Sequence, residues 1–292
     1  MKRTFTILFS CLLYNCYAQV TKIDSLKHEF SLAKHDTSQV LIMVELSRYY
    51  RLSKPDSALN YGKQALVLSQ RIKFLKGISI ALSTLSGANR EFGNLPKALE
   101  FGLKALRIAE ENQYLNEQIE SLTALAVIYF DLYDYSKYIR FNQRAMRIAQ
   151  KLNNQPRIIS AQLNIAIGYF KNNQLDSSLY YKEKIQSYVQ GNNPTYYRFL
   201  GWLNIKLDNK PVATDAFKQG IRVALQRNDP RNAAFNSNEL AAFYLKLNKL
   251  DSCILFAQQG LINAQKGPFN IRILESSGLL AIAYKLKNNY KH

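Results

Sequence analysis

A chain of 292 residues sets 39 Lys and Arg against 21 Asp and Glu, for a formal charge of +18, and is 47% apolar. That apolar share is enough for a large core. Only 12 Gly and 7 Pro interrupt it, which excludes a Gly/Ser-rich or Pro-rich linker.

The first element is short and separate. Lys2 and Arg3 precede "FTILFSCLLY" (Phe5–Tyr14), a mostly apolar run of ten residues, too short to span a bilayer. "CYA" (Cys16–Ala18) then places a small residue before Gln19. This pattern reads as a secretory signal peptide over 1–18, cleaved after Ala18, and implies a periplasmic or secreted protein. Cleavage removes Lys2 and Arg3, lowering the charge from +18 to +16, and also removes Cys11 and Cys16. Cys253 is then the lone cysteine, so the mature chain has no internal disulfide. No later stretch reaches 18 apolar residues, so no membrane span is expected in the mature chain.

Residues 19–36 contain "KIDSLKHEFSLAK", which reads as one capping helix. A repeat follows. "ALNYGKQAL" (Ala58–Leu66) recurs 40 residues later as "ALEFGLKAL" (Ala98–Leu106). Weaker copies are "YIRFNQRAM" at Tyr138, "SLYYKEKIQ" at Ser178, "ATDAFKQGI" at Ala213 and "CILFAQQGL" at Cys253. A second phrase alternates with it: "LAVIYF" at Leu125, "IAIGYF" at Ile165, "LAAFYL" at Leu240 and "LAIAYK" at Leu280. Large residues at i, i+3, i+4 and i+7 mark one face of a helix, so each unit is two helices. Small residues seven apart, such as Ala98 and Ala105, give the second helix a face that can be approached closely. The units run over 37–73, 75–113, 115–153, 155–191, 193–227 and 230–267, with a terminal half-repeat at 269–288. All seven prolines are expected between helices, and no alternating strand pattern occurs. A sustained period of this length means stacked repeats rather than one globular core.

Leu-small-x-x-Tyr, followed by Ala-x-x-aromatic and a second small residue, resembles the tetratricopeptide repeat (TPR), in a longer-period bacterial form. The resemblance spans 37–292 and implies an all-α, right-handed α-solenoid of stacked antiparallel helix pairs. It is similar to the periplasmic sensory regions of TPR-containing histidine kinases and helix-turn-helix regulators.

Residue chemistry points away from catalysis. His28, His35 and His292 have no partners at metal-ligand spacing, and Cys253 has no marked His or Asn partner. No cofactor, metal or enzymatic activity is expected. The basic residues are spread over the units without a nucleic-acid motif, so no nucleic acid is expected either. What the resemblance implies is a groove lined by the first helix of each unit. Carried over, the groove set is Arg48, Arg51, Arg90, Phe130, Asn164, Phe170, Arg198, Trp202, Lys206 and Asn238. Cations mixed with aromatics suit a protein or peptide partner of acidic character. The implied function is an exported, non-catalytic interaction scaffold. The alternative is a truncated periplasmic sensor or input region of a signal-transduction protein, a histidine kinase or helix-turn-helix regulator. Self-association through the C-terminal half-repeat is a separate expectation.

Overall fold

A computed structural model of the chain describes residues 22–189, 191–267 and 269–289. The expected signal peptide, 1–18, and Pro268 lie outside the described residues. Every regular element within them is an α-helix. In chain order these are α1 (22–32), α2 (Asp36–Tyr50), α3 (Pro55–Arg71), α4 (Leu75–Glu91), α5 (Leu95–Glu111), α6 (Leu115–Asp131) and α7 (Tyr135–Lys151). Then come α8 (Gln155–Lys171), α9 (Leu175–Val189), α10 (Pro194–Lys206), α11 (Lys210–Gln226), α12 (Pro230–Lys246), α13 (Leu250–Gln265) and α14 (Asn270–Asn289). Among the described residues no helix is long and apolar enough to cross a membrane.

The 40-residue period resolves into a 20-residue one. From α3 to α8 each helix has 17 residues and is followed by a three-residue turn. The shorter step between the copies at Ser178 and Ala213 comes from α9 and α10, which have 15 and 13 residues. Prolines fall slightly inside the helices rather than between them. Pro55, Pro96, Pro156, Pro194, Pro211 and Pro230 all occupy the first two positions of a helix. There the missing N–H has no acceptor to lose, and the fixed φ already suits the helix.

The chain forms two compact units, one up to residue 185 and the other from 186 onward. In the first, α1 caps a stack of antiparallel pairs. Ala58, Ala65, Ala98 and Ala105 are completely buried, as the seven-residue spacing anticipated. Without bulk at these positions the helices close on one another, and a polar stitch crosses the seam. Ser47 and Ser86 donate their hydroxyls to the carbonyls of Ala58 and Ala98, each at 2.7 Å. In the fourth pair the roles are exchanged: Ser178 on the second helix donates to the Ala166 carbonyl on the first, at 2.8 Å.

In four of the pairs aromatic stacking joins the first helix to the second. Tyr50 stacks on Tyr61 at 5.7 Å, Tyr129 on Phe141 at 5.3 Å and Tyr169 on Tyr181 at 5.8 Å. In the second unit Tyr244 stacks on Phe256 at 5.6 Å. That unit is built around Phe217, Ile221, Leu240 and Phe243. Phe217 lies over Gly201, where a Cβ would come within 2.4 Å of its ring, so only glycine admits it.

Candidate functional site: a groove on the first helices

The first unit contains a cleft of about 370 Å3 made by α2, α4, α6 and α8, the first helices of four consecutive pairs. Its apolar surface is Leu41 and Val44 of α2 with Ile80 of α4. Glu45 and Arg48 of α2, Ser79 and Ser83 of α4, Asn116, Glu117 and Glu120 of α6, and Arg157 of α8 complete the lining. These residues reach one surface because helical neighbours at i, i+3 and i+4 share a face, and α2, α4, α6 and α8 of the first unit all turn that face to the cleft.

The charges are largely matched in place. Arg48 pairs with Glu45 at 2.7 Å within α2, Lys76 reaches from α4 to Glu117 at 3.2 Å, and Arg157 reaches from α8 to Glu120. Arg90 fixes α4 to α6 through Asp131 at 2.6 and 3.2 Å. The Arg48–Glu45 and Arg157–Glu120 pairs keep substantial solvent exposure, so each stabilises the fold by about 0–1 kcal/mol and can be exchanged for a ligand group at low cost.

Of the ten residues carried over from the family pattern, Arg48 lines this cleft. Arg90 is engaged by Asp131 and Glu91. Arg51 is half-buried, its guanidinium crossing Gly87 at 3.1 Å from where a Cβ would sit. Phe130 meets Tyr135 and Tyr138 edge-on at 5.5 and 5.1 Å, so it seals its own pair instead of lining a groove. Asn164 is bonded within its own stack. It is half-buried, and its amide donates to the buried Asn142 of α7 at 3.0 Å, whose carbonyl oxygen must find a partner inside the stack. Phe170 is half-buried beside the Lys171 ammonium, 6.0 Å from its ring centre.

The remaining four lie in the second unit. Asn238, 4% exposed, donates to the Arg272 carbonyl at 3.1 Å and to Glu275 at 3.3 Å and accepts from Ser276 at 2.7 Å. It joins α12 to α14 and is not a groove residue. Trp202 packs against the Phe217 cluster, so it supports the core. Arg198 lies against Trp202 and Phe235, at 5.4 and 4.2 Å, and donates to Asn232 at 3.1 Å. Arg272 lies 3.7 Å from the Phe235 ring centre. Burial pushes the Glu275 carboxyl above the usual range, while the Arg272 guanidinium opposes the shift. Lys206 is exposed at the end of α10.

The missed lining residues sit near the middle of the first helices, or in their first half, rather than beside the tyrosines. Ile80, Asn116 and Glu120 carry no distinguishing motif, and only the placement of four helices shows that they share a surface. Burial also raises the Cys253 thiol pKa, which makes this cysteine a poor nucleophile.

No family model matches the sequence, and no curated protein sequence matches it significantly. Solved structures do. Aspartyl phosphate phosphatase F from Bacillus subtilis superimposes with a TM-score of 0.69 at 14% identity, over 87% of this chain and 70% of that one. NprR in complex with its cognate peptide NprX gives 0.66 at 18%, over 97% and 84%. A Podosopora anserina kinesin light chain with nearly identical TPR-like repeats gives 0.52 at 15%, over 67% and 99%. The fold is TPR-like. These likenesses concern the arrangement of helices, and at such identities the chemistry of this groove is its own.

Proposed function

We propose that this protein is an exported, non-catalytic scaffold that holds a protein or peptide segment in the groove of α2, α4, α6 and α8. The observation that carries the reading is the cleft of about 370 Å3, apolar at Leu41, Val44 and Ile80 and rimmed by exchangeable ion pairs. Such a surface takes one apolar side chain while Asn116 and Ser83 offer hydrogen bonds to an extended backbone. NprR holding its cognate peptide on the same fold supports a peptide as ligand.

The groove refines the ligand's chemistry. Glu45, Glu117 and Glu120 face Arg48 and Arg157 within the lining, so a ligand bearing both signs can replace the internal pairs one for one. The acidic preference belongs to the longer range. A mature charge of +16 attracts acidic partners before contact and speeds their association. The lining residues include no His, Cys or Tyr, and its carboxylates are drawn into ion pairs, which favours binding over chemistry.

A second reading, the input region of a signalling protein, is favoured by the likeness to the quorum sensor NprR. It uses the same groove and adds an output elsewhere.

The test is selection of binders from a random peptide library against the mature protein. Ser83→Arg, which fills the cleft from a half-buried position, should weaken selected ligands at least tenfold without changing helicity. Arg48→Glu should slow association and flatten its salt dependence. Ligands that bind Ser83→Arg as well as the parent would place binding elsewhere. For export, N-terminal sequencing of the mature protein should begin at Gln19.

A further inference from the structure

The first unit holds another cleft, of about 440 Å3, where the capping helix α1 meets the first pair. Buried Tyr50 of α2 and half-buried Tyr61 of α3, their rings stacked 5.7 Å apart and 4° from parallel, form part of its wall. Phe30 of α1 adds a third ring. The rest of the wall is polar: Ser57, Asn60 and Gln64 lie along one strip of α3.

Its electrostatics differ from those of the groove. There Glu45, Glu117 and Glu120 answer the cations. Here Lys27 of α1 and Lys54, just before α3, supply two positive charges, and among the described residues the lining holds no carboxylate. A hydrogen bond with the Tyr50 hydroxyl raises the Lys27 pKa, and Asp24 on the same helix has the smallest effect of the named neighbours. Lys54 stands where Asn94 and Asp134 cap α5 and α7, and it makes no side-chain cap.

The repeat supplies an internal comparison. Ser57, Asn60 and Gln64 correspond, 40 residues on, to Lys97, Glu100 and Lys104 of α5, and 80 residues on to Lys137, Arg140 and Arg144 of α7. On α5, Glu100 accepts from both lysines at 2.8 Å. Such pairs stabilise an exposed helix face. α3 keeps the repeat's apolar positions, with Ala58 and Ala65 completely buried, but carries uncharged groups along this strip. A hydroxyl and two amides can each donate and accept hydrogen bonds, which charged ammonium and carboxylate groups cannot. The carboxylate that neutralises two lysines on α5 is an amide here, and the charge of Lys27 and Lys54 is left for something else to balance.

We propose that this cleft binds an anionic sugar, a polyhydroxylated ring bearing one acidic group. The acidic group meets Lys27 and Lys54, the hydroxyls exchange hydrogen bonds with Ser57, Asn60 and Gln64, and Phe30 and Tyr61 receive the C–H faces of the ring. The cleft volume lies within the range of about 300–1,000 Å3 typical of small-molecule sites. The site belongs to α1–α3 and is independent of the groove reading.

The test is calorimetric titration of the mature protein, at fixed ionic strength, with glucuronate, glucose 6-phosphate, glucose and inorganic phosphate. Glucuronate or glucose 6-phosphate should bind saturably, one per chain, and at least tenfold more tightly than glucose or inorganic phosphate. Which of the two binds better tells whether the acidic group is a carboxylate or a phosphate. Asn60→Glu, which restores the charge found at Glu100, should weaken binding at least tenfold at unchanged helicity, and Lys27→Gln should weaken it as well. Lys63→Gln, an exposed lysine of α3 outside the lining, and Ser83→Arg in the groove should leave it unchanged. Absence of saturable binding by both anionic sugars overturns the proposal. So does inorganic phosphate binding as tightly as either, since the α3 strip would then contribute nothing. Binding that Asn60→Glu leaves intact, or that Lys63→Gln weakens equally, places the ligand elsewhere and overturns it too.

Discussion

Single residues in the turns do two jobs at once. After α4, Gly93 takes φ 81° and donates its N–H to Arg90, while Asn94 donates to the Asn89 carbonyl at 2.9 Å. This pattern satisfies the open carbonyls of a helix end. Asn94 then accepts from the Lys97 N–H with its side chain and so caps α5. Asp134 does the same between α6 and α7, donating to Tyr129 at 2.9 Å and accepting from the Lys137 N–H at 3.0 Å. Left-handed backbone explains the Asn, Asp and Gly at Asn153, Asn173, Asp208, Asn228, Asn248 and Gly93. It also shows where composition misleads, because Lys73, Gln113 and Tyr133 adopt the same conformation without belonging to those types. The Asp134 carboxyl is held below the usual range by the Lys137 backbone N–H first and by the Lys137 ammonium second. A depressed carboxylate contributes stability that is fully present above the unfolded pKa, about 3.9, and is lost as pH falls through the folded value. Asp134→Asn keeps an acceptor but cannot titrate. Chemical denaturation between pH 5 and pH 2 should therefore show a shallower loss of stability for this variant than for the parent. Asp134→Ala should cost about 1 kcal/mol near neutral pH through loss of the cap.

At the scale of elements, the helix pairs were legible because their constraint is periodic and apolar. In the first two pairs small residues recur where the helices touch, and a tyrosine recurs in the four pairs that a ring bridges. Ala105 shows how tight the seam is: it is completely buried, and its carbonyl accepts from the Ser79 hydroxyl of α4 at 3.0 Å. Ala105→Leu inserts three carbons where neither helix can retreat without breaking that hydrogen bond. It should cost about 1–3 kcal/mol, seen as a lower urea midpoint with unchanged folded-state helicity. An unchanged midpoint would mean the seam is loose enough to absorb the side chain. The groove was less legible for a related reason. Arg48 lies on the cleft because a charged residue on a first helix faces solvent. Asn164 and Asn238 make side-chain hydrogen bonds within the stack, and in sequence such a residue looks like one on its surface. Which of the two it is depends on whether Asn142 or Ser276 lies opposite, and those residues are 22 and 38 positions away.

Within each unit the contacts between the described helices are local in sequence. The ion pairs and hydrogen bonds linking one repeat to the next, such as Arg90–Asp131 and Asn238–Ser276, span about one repeat length. Stability in such an array is a sum of repeat terms and nearest-neighbour terms, so damage spreads along the chain and weakens with distance. Phe217 offers a sharp probe. It is completely buried, rests on Gly201 and packs with Ile221, Leu240 and Phe243. Phe217→Ala removes a ring that nothing can replace, since Gly201 has no side chain to move inward. The local cost should be about 3–5 kcal/mol. In a single cooperative core that loss would lower the protection of every slow amide alike. In a chain of two compact units with neighbour-only contacts it should fall mainly on α10–α14. Native-state hydrogen exchange read by mass spectrometry distinguishes the two. Peptides from α10, α11 and α12 should exchange at least a hundredfold faster in the variant, while those around Leu85 and Leu125 in α4 and α6 keep parental rates. Equal acceleration at Leu125 and at Leu240 would show that the chain unfolds as one, and the groove of the first unit would then share the fate of the second.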